Sequence, residues 1–485
     1  MTTEKGRTVR QFGRWTLGQL AEWLNVILPT KWQAQADLAV AQMVTDSRAV
    51  MPGDVYIAIE GTRFDGHRFI AQAIEQGAVA CIISNKNYAK QTVPCLLVSD
   101  TTRALGRLGQ AHRQAAQLEC LVAVTGSNGK TTVKELLAAL FATKGPTLAT
   151  QGNLNNQFGV PRTLLRLRDE HRYAVIEMGA NHQGEIDCLT RLAEPDIAII
   201  TLAAPAHLEG FGSLDGIITA KGEIMHGLKP DGVGIINTDS HGFSQWEGKL
   251  ARSGRKAISF GQAAQADIRI RNVSTTKQGI QFELYYQQAW RTVTSPLLGV
   301  HNAYNLAAGA AVAQVLNWDW DDIAPVFAKF TGTDGRLQIY QLGQLTLIDD
   351  SYNANPSSMA AGLDSLHALA SPDNKPMLAC LGSMAELGST AAEAHYQIGR
   401  QAVKLGVRQL WAQGINADDY VAGFKSLSSS KTLAQAADHA AMIEHLFTLY
   451  QTGEPWVVLI KGSRSAAMDQ LRPGLTQRIA NAHLS

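Results

Sequence analysis

Short apolar, β-branched runs alternate with long helical stretches along most of the chain, and nothing else in the sequence restricts the fold so strongly. The pattern is that of parallel sheets with helices on their faces. A first series holds strand candidates at Asp54 to Gly61, Ala78 to Ser84 and Cys95 to Asp100. The helical stretch Thr101 to Gln117 then leads out of it. A second series runs through CLVAVTG, Tyr173 to Gly179, Asp196 to Ala204 and Gly232 to Asp239. Between Asp267 and Pro296 strict alternation (Ile280, Phe282, Leu284, Tyr286) marks an antiparallel excursion. Helical spacing returns at His301 to Leu316. Beyond the Gly/Thr/Asp-rich hinge candidate Thr331 to Gln338, a third series runs through LTLIDDS, PMLACLG, VRQLWAQG and WVVLIKGS.

A chain of 485 residues exceeds one ordinary core, and about 150 residues per domain suggests roughly three. The expected boundaries are 1–115, 116–332 and 333–485. Lys plus Arg (43) nearly equal Asp plus Glu (42), which argues against a chain that coats nucleic acid or anionic membrane. The longest apolar run, Ile197 to Ala206, falls far short of the ~18 residues of a membrane span. The N-terminal stretch MTTEKGRTVRQFGRWTLGQL lacks a signal-peptide core. Cys81, Cys95, Cys120, Cys188 and Cys380 form no C-x-x-C pair, as expected of reduced thiols. The expected location is cytoplasmic.

The stretch VTGSNGKTTVKELL, Val124 to Leu137, looks like a phosphate-binding loop that is too short. A P-loop has four residues between its first glycine and Gly-Lys-Ser/Thr; here Gly126 and Gly129 enclose only Ser127 and Asn128. The context is nonetheless strand, glycine turn, helix, in which backbone N–H groups converge on an anion. Thr125 to Thr132 would line the cradle, Lys130 would neutralise terminal phosphates, and the Thr131 hydroxyl would face Mg²⁺. The bland alternative is a helix-capping turn with a solvated lysine. A GTPase is disfavoured because the nearest guanine motif, NKNY at Asn85, lacks the aspartate.

The compact G-x-x-G-K-[ST] loop resembles that of the Mur ligase superfamily, ATP-dependent amide-bond-forming enzymes of cell-wall precursor and folate metabolism. Glu177 at a strand end, His207 after the next strand and Lys221 on the following helix would singly be read as a cap, a structural histidine and a solvated lysine. Together they match the family pattern. The resemblance implies that Glu177 and His207 bind Mg²⁺ with Thr131, and that Lys221 is carbamylated near the metal. HNAYN, His301 to Asn305, opens a helix, and its amides would read a base edge while also capping that helix; the resemblance implies that Asn302 contacts adenine. By the same resemblance Arg336 reaches phosphate or ribose, and Asp350 binds ribose.

Within the family the resemblance is to the branch that adds D-alanyl-D-alanine to UDP-N-acetylmuramoyl-tripeptide. It implies a small N-terminal α/β UDP-binding domain, a central P-loop domain with a parallel sheet and the antiparallel excursion, and a C-terminal Rossmann-like α/β domain. Asp46, Ser47, Arg48, Asp65, Gly66 and His67 are the matched UDP-facing positions. Asn153, Asn155, Asn156 and His182 match substrate-facing segments. DDSYNANPSSM, LGSMAELG and IKGSRSAAMD are the distinguishing C-terminal motifs, with Tyr352, Asn353, Asn355, Lys461, Ser463 and Arg464 as substrate candidates. The branch that adds a diamino acid carries D-Y-A-H-T-P where this chain has D-S-Y-N-A-N-P, and its D-N-P-R signature is absent. One departure stands out: Ser383 occupies a position where the family commonly has Asp.

The implied chemistry uses ATP to turn a carboxylate into an acyl phosphate, which the dipeptide amine attacks through a tetrahedral intermediate. An α-amine with a pKa of about 8 needs little help to deprotonate, and no general base is assigned. Expected partners are the UDP-sugar tripeptide and D-alanyl-D-alanine, with no nucleic acid and no membrane span, and the protein is expected to be a monomer. The diamino-acid-adding ligase and a folylpolyglutamate synthase-like ligase stay open as alternatives, as does a P-loop switch protein that makes no bond.

Overall fold

A computed structural model describes residues 15–61, 64–205, 208–276, 278–428 and 433–484. Among them lie four sheets arranged along the chain in three groups. The first group pairs Trp15–Thr16 with Ala39–Val40, beside an all-parallel sheet of Met43–Val44, Val55–Ile57, Ala80–Ile83 and Cys95–Leu97. The second is a single nine-stranded sheet spanning Cys120–Thr125 to Ala289–Ser295. The third is a six-stranded sheet, parallel except at Gln338–Leu342.

The antiparallel excursion is part of the second sheet. Ile268–Thr276 joins Lys256–Gly261 in parallel, and Gly279–Tyr286 and Ala289–Ser295 then extend it as a meander. Alternation is the cause: Ile280, Phe282, Leu284 and Tyr286 are all buried, facing the core on one side only. Helix His301–Val315 lies across this region. It is buried almost all round, and its small alanines let it pack against both the meander and helix Lys130–Ala142.

Helix Thr101–Ala115 does more than lead out of the first group. Asp100 caps it, accepting from the backbone N–H groups of Thr102 (2.7 Å) and Arg103 (3.0 Å). Leu105 and Leu108 fill the first core, while Gly106 and Gly109 face Leu192 and Pro161 of the second group. A Cβ on Gly109 would stand 2.9 Å from Pro161 Cα, so only glycine permits this approach. Buried Arg113 donates to the carbonyl of Ala193 at 3.0 Å, and His112 bonds the Leu167 carbonyl at 3.0 Å. The first and second groups are thereby fastened along one helix.

Cys81, Cys95, Cys120 and Cys380 are buried free thiols and Cys188 is exposed. Among the described residues no helix is long and apolar enough to cross a membrane.

Candidate active site

In the nine-stranded sheet, Cys120–Thr125 is flanked by Tyr173–Glu177 on one side and Ile197–Ile200 on the other, although the chain visits the outer strand Thr147–Ala149 first. This is a switch point, where helices leave to opposite faces and a crevice opens at the carboxyl ends of the strands. The glycine loop fills that crevice. Parallel register then decides its neighbours: Val124 pairs with Glu177, and Thr125 with Ile200.

Gly126 (φ +150°) and Gly129 (φ +84°) turn the loop. A Cβ on Gly126 would collide with Thr201 Oγ1, and one on Gly129 would lie 2.5 Å from Asn305 Oδ1. Thr201 Oγ1 donates to the Asn128 carbonyl (2.5 Å), Ser127 Oγ to the Ala204 carbonyl (2.8 Å) and Thr125 Oγ1 to the Met178 carbonyl (2.8 Å). Half-buried Lys130 folds back, its ammonium donating to the Gly126 carbonyl at 2.6 Å. Desolvation lowers its pKa, the Glu177 carboxylate opposes that shift and Arg336 adds to it. The result is a loop tied by side-chain hydrogen bonds, with its ammonium turned back onto the carbonyls of Gly126 and Ser127.

Glu177 is buried. Its Oε1 accepts from Asn155 Nδ2 at 2.9 Å, while Oε2 has no hydrogen-bond partner among the described residues. A buried carboxylate oxygen without a donor suits a cation. Lys221 is 2% exposed, its ammonium 5.2 Å from the centre of the Phe211 ring. Burial above all, and Lys130 after it, pull its pKa down to about 7. His207 lies outside the described residues.

The third sheet has its own switch point. Val457–Lys461 runs between Leu345–Asp350 and Met377–Gly382, and register pairs Lys461 with both Asp350 and Leu381. Lys461 Nζ donates to Asp350 Oδ2 at 2.6 Å and to the Asn353 carbonyl at 3.0 Å. These two candidates, expected at different ligands, are therefore bound to each other. Asn355 caps helix Pro356–Ala370, accepting from Ser358 N at 2.9 Å, with Pro356 at the first helical position. Arg336 stacks over Tyr352 (4.4 Å) and donates to Thr131 Oγ1 at 2.9 Å. Ser383 Oγ bonds the Gln413 carbonyl and the Asn416 N–H, both at 3.3 Å, and so braces a turn.

The crevices of the second and third sheets face each other across one cavity of about 1000 Å³. Ser127 to Thr132, Asn302, Arg336, Asp350, Tyr352, Asn353, Asn355, Lys461, Ser463 and Arg464 all line it. Arg464 sits at its rim, 71% exposed, 3.1 Å from Asp469. Thr201, Asn237, Asp239, His301, Tyr304 and Ser357 line it too, and sequence reasoning missed them; Asn305, an amide of the HNAYN segment, lines it as well. Asn305 stands one turn after Asn302, so the two amides of that segment share a helix face. His301 is held below its usual pKa by burial, with Asp350 opposing and Lys461 reinforcing.

Asn302 does not cap its helix. The position before His301 is Val300, which makes no side-chain cap bond, and Asn302 lies within the first turn. Its amide donates back to the Leu298 carbonyl at 2.6 Å and accepts from Asn305 Nδ2 at 2.7 Å. A side chain already inside the helix reaches the preceding carbonyl more readily than the N–H groups it would have to cap.

The remaining candidates lie outside this cavity. Asn156 accepts from the N–H groups of Phe158 (3.1 Å) and Gly159 (3.0 Å) and starts the next helix. Asn153 is exposed, as is His182, which sits 3.3 Å from Glu185. In the first group, Asp46 accepts from Arg48 Nε at 2.9 Å, and that guanidinium holds its carboxyl down to about 2. Arg48 is 80% exposed, and Ser47 Oγ donates to Gln72 at 2.8 Å. Asp65 accepts from buried His67 Nδ1 (2.6 Å), leaving Nε2 to accept from Ser84 N (3.0 Å). A Cβ on Gly66 would approach Ile59 O to 2.6 Å. His67 therefore anchors a turn from below, while Arg48 is presented to solvent.

Three family profiles match the chain: the Mur ligase family catalytic domain at residues 39–113, the Mur ligase middle domain at 124–313, and the Mur ligase glutamate ligase domain at 335–464. The UDP-N-acetylmuramoyl-tripeptide–D-alanyl-D-alanine ligase of Escherichia coli (strain K12) is 39% identical over 94% of this chain and 97% of its own length. That of Haemophilus influenzae is 36% identical over 94% and 98%. Among solved structures, a MurF from Acinetobacter baumannii superposes with a TM-score of 0.85 at 34% identity, covering 96% of this chain and 99% of that one. A Thermotoga maritima MurF ligase in complex with ADP gives 0.79 at 26% identity over 91% and 98%. The two facing crevices and the short glycine loop that closes one of them thus sit in a scaffold matched over nearly its full length, and the chain belongs to the Mur ligase family.

Proposed function

We propose that this chain joins D-alanyl-D-alanine to UDP-N-acetylmuramoyl-tripeptide, converting ATP to ADP and phosphate. The observation that carries the reading is the single cavity shared by the phosphate loop and the KGSRS segment, within a chain so similar to ligases of that name. In this reading residues 1–115 hold the UDP end, 116–332 the ATP and 333–485 the dipeptide, and the protein works as a cytoplasmic monomer. Phosphate release is measured with ATP, the UDP-sugar tripeptide and the dipeptide, omitting one at a time. Release that ignores the two acceptors would point to a nucleotide switch.

The tripeptide's terminal carboxylate attacks the γ-phosphorus, forming the acyl–O–P bond as the bond to ADP breaks. The dipeptide amine then attacks the acyl carbon, and the tetrahedral intermediate collapses with loss of phosphate. Lys130 offsets charge on the transferring group, and the loop N–H groups hold its oxygens. Thr131 and Glu177, with Lys221 once carbamylated and with His207, would hold Mg²⁺; Glu177 Oε2, without a partner among the described residues, fits a cation. When bound, Mg²⁺ supplies charge neutralisation on the phosphates. Asn155 orients Glu177 through its hydrogen bond.

A lysine with a pKa near 7 is half amine at neutral pH, and only the amine reacts with CO₂. Activity therefore rises with pH through about 7 and depends on dissolved CO₂. Lys221→Arg is expected to lose about 10- to 100-fold in kcat and to ignore added bicarbonate. Equal rates in degassed and bicarbonate buffers would count against carbamylation.

Arg464, exposed at the cavity rim, is assigned to the dipeptide carboxylate through charge-assisted hydrogen bonds. Arg464→Ala raises KM for D-alanyl-D-alanine by about tenfold or more and leaves KM for ATP unchanged. An unaltered dipeptide KM would remove that role.

A further inference from the structure

The phosphate loop is hydrogen-bonded to the third sheet's first helix by a closed ring of side chains. Asn128 Nδ2 donates to Ser357 Oγ at 2.7 Å, Ser357 Oγ donates to Asn355 Oδ1 at 2.9 Å, and Asn355 Nδ2 donates to Asn128 Oδ1 at 2.7 Å. All three side chains are partly buried at the cavity wall. Each amide spends one donor and one acceptor within the ring, and the hydroxyl both gives and receives, so directionality is satisfied around the circuit. The ring is anchored at both ends. The Asn128 carbonyl takes the Thr201 hydroxyl from the floor of the second crevice. Asn355 Oδ1 also caps helix Pro356–Ala370 through Ser358 N. Loop geometry and the seating of that helix are thus one hydrogen-bonded unit.

We propose that Asn128, Asn355 and Ser357 form a latch, in which an ordered phosphate loop and the docked position of residues 333–485 stabilise each other. These are positioning residues. A nucleotide that orders the loop favours docking, and docking brings Arg336 and Asp350 to the nucleotide side of the cavity. By linkage, loosening either partner weakens nucleotide binding by the same route. The inference rests on the nucleotide reading of the loop.

The test is a double-mutant cycle read by ADP affinity in calorimetry on the full chain, with no turnover required. Asn128→Ala and Ser357→Ala each raise the ADP Kd by about five- to tenfold. The double variant rises no further than the weaker single variant, because one broken link opens the ring. Ser357→Thr keeps the hydroxyl and restores affinity, which a general packing defect at that position would not allow. In solution scattering the two alanine variants are more extended with ADP bound than the unaltered chain. Multiplicative losses in the double variant, or full ADP affinity in Ser357→Ala, overturn the latch. Failure of the unaltered chain to bind ADP at all overturns instead the nucleotide reading.

Discussion

A Lys130→Ala protein keeps its fold and loses substrate-dependent phosphate release by about a thousandfold. The fold survives because, among the described residues, the ammonium bonds only carbonyls of its own loop, and burial already disfavours its charge. The core-facing stripe of the helix it opens, Val133, Leu136, Leu137, Leu140 and Phe141, is untouched. What is lost is the one cation that the loop itself carries at the point where negative charge builds up during transfer. The rate comes from phosphate release at saturating substrates, and integrity from an unchanged melting curve. A variant that still ligates at the normal rate would mean that the phosphates are neutralised elsewhere, and the assignment of the loop would fall.

Asp350→Ala acts on stability. It removes the partner of an ammonium only 2% exposed and leaves that charge in the core. Breaking a buried pair from one side costs about 3–5 kcal/mol, which lowers the thermal midpoint by roughly 10 °C for a unit of this size. Hydrogen exchange quickens first in Leu345–Asp350 and Val457–Lys461, which the pair joins at their carboxyl ends. The companion variant Asp350→Leu/Lys461→Met recovers much of the loss, since an apolar pair carries no desolvated charge. A midpoint within about 2 °C of the unaltered chain would show the pair to be solvated and Asp350 free for ribose.

Strand and helix existence was legible wherever the apolar run was long. CLVAV, YAVIE and IAII became adjacent buried strands, and the 267–296 alternation became a meander. Shorter or more polar strands escaped notice: Thr147–Ala149, Lys256–Gly261, Gln338–Leu342 and Leu433–Ala436. Three to six residues with few large apolar side chains give no period to read. Thr147–Ala149, Gln338–Leu342 and Leu433–Ala436 are strands because one neighbour supplies hydrogen bonds at a sheet edge, and Lys256–Gly261 because it is paired on both sides. The double allegiance of helix Thr101–Ala115 was hidden for a related reason: glycines at 106 and 109 signal close approach but not to what.

The chemistry divides along the same line. Residue order alone determined that a glycine turn with a lysine joins a strand to a helix, because strand propensity, φ freedom and helical periodicity are local properties. Tertiary structure alone decided that Glu177 stands beside that turn with one oxygen unsatisfied among the described residues. It also decided that Lys461 is bound to Asp350, and that Asn128 reaches a helix more than two hundred residues away. These depend on strand register and on the facing of two crevices, and no residue carries a mark of its partner until the sheets that align them have formed.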